Sequence, residues 1–109
     1  MIFLTRIEEI LLLSIWKLGH NAYGLSIRRQ VEEETGVKWM SGAVYAPLGR
    51  LKKNGYVTTV QAEGTTRKGG RPRIYYRLTP VGMDKLISIQ EINRSLWDTV
   101  PDLKKESAG

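Results

Sequence analysis

Residues 41–82 read SGAVYAPLGRLKKNGYVTTVQAEGTTRKGGRPRIYYRLTPVG, and the order of signals within them decides the fold. The stretch opens as a helix. Ser41 is a good N-cap, and Val44, Leu48 and Leu51 recur at i, i+4 and i+7 as one apolar stripe. Pro47 and Gly49 lie inside it, and a proline there removes one backbone hydrogen bond and crowds the turn before it, at about 3 kcal/mol. Either this helix is kinked, or its first turn is irregular and regular helix starts near Ala46. Lys52, Lys53, Asn54 and Gly55 close it, with cations at the negative end of the dipole and a pair suited to left-handed backbone.

Two strand-like runs follow, residues 56–62 and 73–78. The second alternates, with Ile74, Tyr76 and Leu78 on one side and Arg73, Tyr75 and Arg77 on the other. Between them residues 63–72 hold three glycines and one proline and read as a long, mobile hairpin tip. Thr79 as N-cap and Pro80 at the first helical position start a last helix, which runs to about Val100 and stops at Pro101. Residues 101–109 read as a flexible polar tail.

Upstream, Thr5 and Glu8 have capping-box spacing, so a first helix begins there and ends at Gly19. Its apolar residues (Ile7, Ile10 to Leu13, Ile15, Trp16, Leu18) are too many for one stripe, so cover is expected on several sides, part of it from a second subunit. A second helix fits residues 22–35, ending at Gly36. Leu25, Ile27 and Val31 face inward, while Glu32, Glu33 and Glu34 form a solvated face partnered by Arg28 or Arg29. Three helices, a two-stranded hairpin and a final helix make a mainly α chain with a two-stranded β wing: a winged helix-turn-helix over residues 5–79, then a C-terminal helix over 80–100.

Charge follows the same map. Residues 38–77 hold nine Lys/Arg and one acid, a local excess of +8, whereas the rest of the 109-residue chain sums to −2 within a formal net charge of +6. Such a concentration repels itself and attracts a polyanion, double-stranded DNA above all. The absence of cysteine removes disulfides, thiolate metal sites and thiol nucleophiles together. No apolar run is long enough to span a bilayer, and acids at Glu8 and Glu9 oppose a signal peptide, so a cytoplasmic protein without membrane contact is expected. His20 stands alone in a turn, and RKGGRPR lacks the phosphate-loop pattern. No enzyme, cofactor or metal is expected.

Tyr23-Gly24 at the second helix, SGAVYAPLGRLKKNGY through the third, and GRPRIYYRLTPVG joining wing to last helix together resemble the PadR family of bacterial transcriptional regulators. The resemblance covers roughly residues 5–97 and in length matches the short subfamily, whose single C-terminal helix serves in dimerisation. Gly82 keeps the family's Thr-x-x-Gly pattern. The family commonly places proline directly after the third-helix tyrosine, whereas Ala46 stands here between Tyr45 and Pro47.

Candidate contacts follow from fold and charge. The start of the third helix meets base edges in such folds, which nominates Ser41, Ala43 and Tyr45. For Ser41 the alternative is a cap alone, and for Tyr45 packing alone. Arg50 and Lys53 suit phosphates, as do Arg67, Lys68, Arg71 and Arg73 on the wing, which are also able to enter a minor groove. Leu86, Ile89, Asn93, Leu96 and Val100 form a heptad seam that predicts a homodimer, although the same stripe also suits packing on the first helix. Trp16 and Trp97 are either core or the walls of an inter-subunit gap for a small hydrophobic or aromatic effector, which the resemblance also implies. The expected function is a dimeric, sequence-specific DNA-binding regulator, a repressor released by such an effector. The rival expectation is a winged-helix protein–protein assembly module whose basic wing binds an acidic partner.

Overall fold

The computed structural model describes residues 3–62 and 73–108. Helix α1 spans Arg6–Leu18 and opens on the capping box that the spacing predicts: Glu8 N donates to Thr5 Oγ1 at 3.3 Å, and Thr5 N donates to Glu8 Oε1 at 2.8 Å. Gly19 ends it at φ 58°, a conformation that favours glycine. A 3-10 turn, Gly19–Asn21, leads to α2, Gly24–Thr35, which ends at Gly36 with φ 73°. Helix α3 spans Ser41–Lys53, strands β1 (Val57–Gln61) and β2 (Ile74–Leu78) form the hairpin, and α4 spans Pro80–Trp97.

The core joins the three helices to the base of the hairpin. Leu11, Leu12 and Ile15 of α1, Ile27 and Val31 of α2, Val44, Leu48 and Leu51 of α3, and Val57 of β1 are buried together with Ala22. The i, i+4, i+7 stripe of α3 therefore faces inward as expected. Pro47 is accommodated inside a helix that runs unbroken from Ser41, so regular structure does not wait for Ala46. Its ring is itself buried, and this packing offsets part of the lost backbone bond.

The hairpin is antiparallel, Val57 opposite Leu78 and Gln61 opposite Ile74. Tyr76 and Leu78 pack against the core from one face, as the alternation predicts, while Ile74 runs past the core and stays exposed.

Four expectations are corrected. Ala22 and Tyr23 are extended rather than helical, because Tyr76 N donates to Ala22 O at 2.7 Å and Tyr23 bridges Tyr75; this short segment completes the far edge of β2. Leu25 is exposed, and the buried residues of α2 are Ser26, Ile27 and Val31. Glu34 pairs with Lys17 at 2.8 Å and with Gln30 at 2.9 Å instead of with Arg28 or Arg29. Within the expected flexible tail, Leu103–Ala108 form a short exposed helix, α5, started by Asp102 Oδ1, which accepts from Lys104 N at 3.1 Å and Lys105 N at 3.4 Å.

Candidate nucleic-acid interface

With Val44, Leu48 and Leu51 turned into the core, α3 presents its other face to solvent. Ser41, Gly42, Ala43, Lys52 and Lys53 are exposed there, and Tyr45 is 47% exposed. The Tyr45 hydroxyl lies over the α carbon of Gly24, where a Cβ would stand 2.0 Å from it. The opening glycine of α2 thus makes room for this ring. Tyr45 both packs and remains accessible.

Ser41 departs from its expected role. The N-cap of α3 is Met40, in extended conformation, and Ser41 is the first helical residue. Its Oγ accepts from Arg28 Nη1 at 3.2 Å, while Arg28 Nε and Nη2 donate to Trp39 O at 3.3 and 3.2 Å. The guanidinium of α2 therefore clamps the turn that launches α3. Trp39 packs partly against the core, and its buried Nε1 has no hydrogen-bond partner among the described residues.

Arg50 also has a protein partner. Its Nε donates to Glu8 Oε2 at 3.1 Å, and the Glu8 side chain is almost fully buried while that of Arg50 is half exposed. Burial pushes the Glu8 carboxyl upward, but hydrogen bonds from Thr5 and Arg50 and the guanidinium charge outweigh it, leaving it below the ordinary value. The carboxylate is thus shared between capping α1 and tethering α3.

On the wing, Arg73 is exposed, with its guanidinium 4.3 Å from the centre of the Tyr23 ring. Tyr23 in turn meets Tyr75 edge to face at 5.6 Å. This stack holds a cation beyond the Gln61–Ile74 pair, at the end of the hairpin away from Val57 and Leu78. Arg77 donates to His20 Nδ1, so the lone histidine belongs to the turn beside β2. Arg67, Lys68 and Arg71 lie outside the described residues. No group of three or more potential metal ligands occurs among the described residues.

The α4 seam divides. Leu86 and Ile89 are partly buried, and Leu86 packs on the core, whereas Asn93 is exposed and Leu96 is 67% exposed. Val100 is not on the helix, which ends at Trp97 as the chain turns through Asp98. Between α1 and α4 runs a groove of about 360 Å³ lined by Ile10, Leu13, Ser14, Leu86, Ile89 and Asn93. Trp16 and Trp97 do not line it; they stand 54% and 59% exposed on α1 and α4. The apolar excess predicted for α1 is visible in Leu13 and Trp16, which this chain leaves uncovered.

Sequence alone does not mark Arg28, Glu8, Tyr23 and Gly24 as site residues: Tyr23-Gly24 carries only a motif, and the capping box accounts for Glu8 without its second partner.

Comparison with known proteins agrees with this geometry. Residues 12–88 match the transcriptional regulator PadR-like family. A PadR-like transcription factor from Bacteroides fragilis is 29% identical, with a TM-score of 0.67 over 85% of this chain and 88% of that one. A PadR family transcription regulator from Clostridium difficile is 27% identical, with a TM-score of 0.61 over 94% and 98%. RosR from H. salinarum is 25% identical, with a TM-score of 0.69 over 96% and 86%. No match was found among curated proteins. The family match covers the second half of α1, all of α2 and α3, the wing and the start of α4, the elements that expose one face of α3 beside a cationic hairpin; the chain belongs to the PadR-like family of transcriptional regulators.

Proposed function

We propose that this regulator binds double-stranded DNA as a homodimer and represses transcription by occupying promoter DNA in the cytoplasm, with a small hydrophobic or aromatic effector releasing it. The observation that carries the DNA reading is the division of α3: its apolar stripe is consumed by the core, and Ser41, Ala43, Tyr45 and Lys53 face outward on one side. A helix held this way fits a major groove, and Arg73, with Arg67, Lys68 and Arg71 before it in sequence, supplies phosphate or minor-groove contacts. Arg50 ranks behind Lys53 as a phosphate ligand because Glu8 already holds it.

The winged helix-turn-helix, residues 5–79, serves as the DNA-binding unit, and the helix that follows serves in dimerisation. Exposed Ile87, Leu96 and Trp97 on α4, with Leu13 and Trp16 on α1, supply apolar surface for a second copy. In a dimer Trp16 and Trp97 remain candidates for effector contact. An effector bound between subunits would act by favouring one arrangement of the two DNA-binding lobes over another.

Fluorescence anisotropy with duplex DNA across a salt series tests the reading. Affinity should fall steeply with salt, and the joint replacement Arg71→Ala and Arg73→Ala should weaken binding to all sequences and reduce the slope of log K against log salt by about two. An unchanged slope removes the wing contact, and no binding at low ionic strength removes the DNA reading in favour of an assembly role. Light scattering should return twice the 12.4 kDa chain mass. A panel of planar hydrophobic compounds should quench tryptophan fluorescence saturably and lower DNA affinity, with the quenching lost in Trp97→Phe; no quenching by any of them removes the effector.

A further inference from the structure

We propose that Arg28 is a positioning residue for base recognition, holding Ser41 so that its hydroxyl donates a proton to an acceptor on a base edge. The inference rests on the DNA-binding reading above and deepens it. Three observations carry it.

First, the hydroxyl is not used by its own helix: Met40 occupies the N-cap position, and Ser41 is an exposed first helical residue. Second, the partner of Ser41 Oγ among the described residues is Arg28 Nη1, at 3.2 Å. A guanidinium only donates, so it occupies a lone pair of the hydroxyl and leaves the hydroxyl proton to be given elsewhere. Third, Arg28 is itself fixed. Its Nε and Nη2 both reach the Trp39 carbonyl, so the fork sits on the turn and its remaining arm is aimed at the start of α3.

The chemistry of the reader follows. A serine hydroxyl by itself is indifferent, able to donate or accept. A cation bonded to its oxygen polarises the O–H and disfavours the approach of an amino group. In the major groove guanine offers O6 and N7, adenine N7 and thymine O4 as acceptors, whereas cytosine offers the N4 amino group. Ser41 held by Arg28 thus selects an acceptor and rejects cytosine on the strand it faces.

The test begins with the preferred duplex of the wild-type protein, selected from a randomised pool, followed by competition with all four bases at each position. Ser41→Ala should lose about five- to tenfold of the discrimination at one position of each half-site and leave the others intact. Ser41→Thr keeps the hydroxyl and should keep the preference. Arg28→Gln should relax the same position to the same extent, and adding Ser41→Ala to it should cost nothing more, since the two act as one unit. Should Arg28→Gln fail to fold, Arg28→Lys, with its charge kept but a single point of contact, should give a partial loss at that position.

A Ser41→Ala protein with every base preference intact overturns the proposal. So does a uniform loss across all sequences, which would mean a phosphate contact. Loss in Ser41→Ala but not in the Arg28 variants overturns the positioning role. Wild-type binding to duplex DNA without any base preference sinks this inference alone, whereas no duplex binding at all sinks the function it rests on.

Discussion

Gly82→Ala is expected to lower the stability of the fold by about 3 kcal/mol and its Tm by about 13 °C. In an exposed helix the same change would gain up to about 1 kcal/mol from helix propensity, so the sign of the effect is decisive. Here a Cβ on Gly82 would lie 2.0 Å from the carbonyl oxygen of Tyr56 and 3.0 Å from its carbonyl carbon. Both atoms are backbone and cannot rotate aside. The neighbouring bonds tie down the same spot: Thr79 N donates to Tyr56 O at 3.1 Å, Thr79 Oγ1 donates to Gly55 O at 2.5 Å, and Gly82 N donates to Thr79 Oγ1 at 3.0 Å. Relief requires lifting the start of α4 from the entry to β1. Chemical denaturation of Gly82→Ala beside the exposed control Val81→Ala checks this, and a Gly82→Ala protein as stable as wild type would show that α4 does not seat there.

Arg50→Ala is expected to cost about 1–2 kcal/mol at neutral pH, a deficit that shrinks as acid protonates Glu8. The effect is modest because the Arg50 side chain is half exposed and water screens its half of the pair. The Glu8 carboxyl is held below its ordinary value in the folded chain, burial working against the bonds from Thr5 and Arg50 that lower it. A depressed folded value means that its contribution is present above the unfolded value of about 4.3 and is lost as pH falls through the folded value. Without Arg50 the opposing effect of burial gains weight and the folded value rises toward the unfolded one, so the carboxylate stabilises less at neutral pH and less is lost on acidification. Glu8→Gln should remove this part of the pH dependence altogether. Urea melts of the three proteins between neutral pH and about pH 3.5 separate these outcomes, and a wild type and Arg50→Ala of equal stability at every pH would mean that the pair contributes nothing.

Much of the architecture was legible because its causes are local. The Thr5–Glu8 capping box, Gly19 and Gly36 as stops, the α3 stripe, and Thr79-Pro80 opening α4 each depend on residues within a turn or two of one another. The fate of Ser41 was not legible. Its side chain offers the same hydroxyl to a cap and to a distant donor, and the donor that took it stands 13 residues away. Val100 shows the opposite failure: heptad spacing extended the seam past Trp97, where the backbone leaves the helix before Pro101 is reached.

Periodicity, capping chemistry and charge excess were enough to determine the winged helix-turn-helix and its basic stretch, since each acts over a few residues or sums over many, while the family was legible only as a resemblance of motifs. Only the tertiary structure decided which groups are already engaged. Arg50 is drawn to Glu8 across 42 residues, Arg28 clamps the turn into α3, Tyr45 fills the space that Gly24 leaves, and Arg73 lies on Tyr23. A side chain's partner is set by which atoms packing brings within about 3 to 4 Å, and that proximity is a property of the whole core and of no single segment.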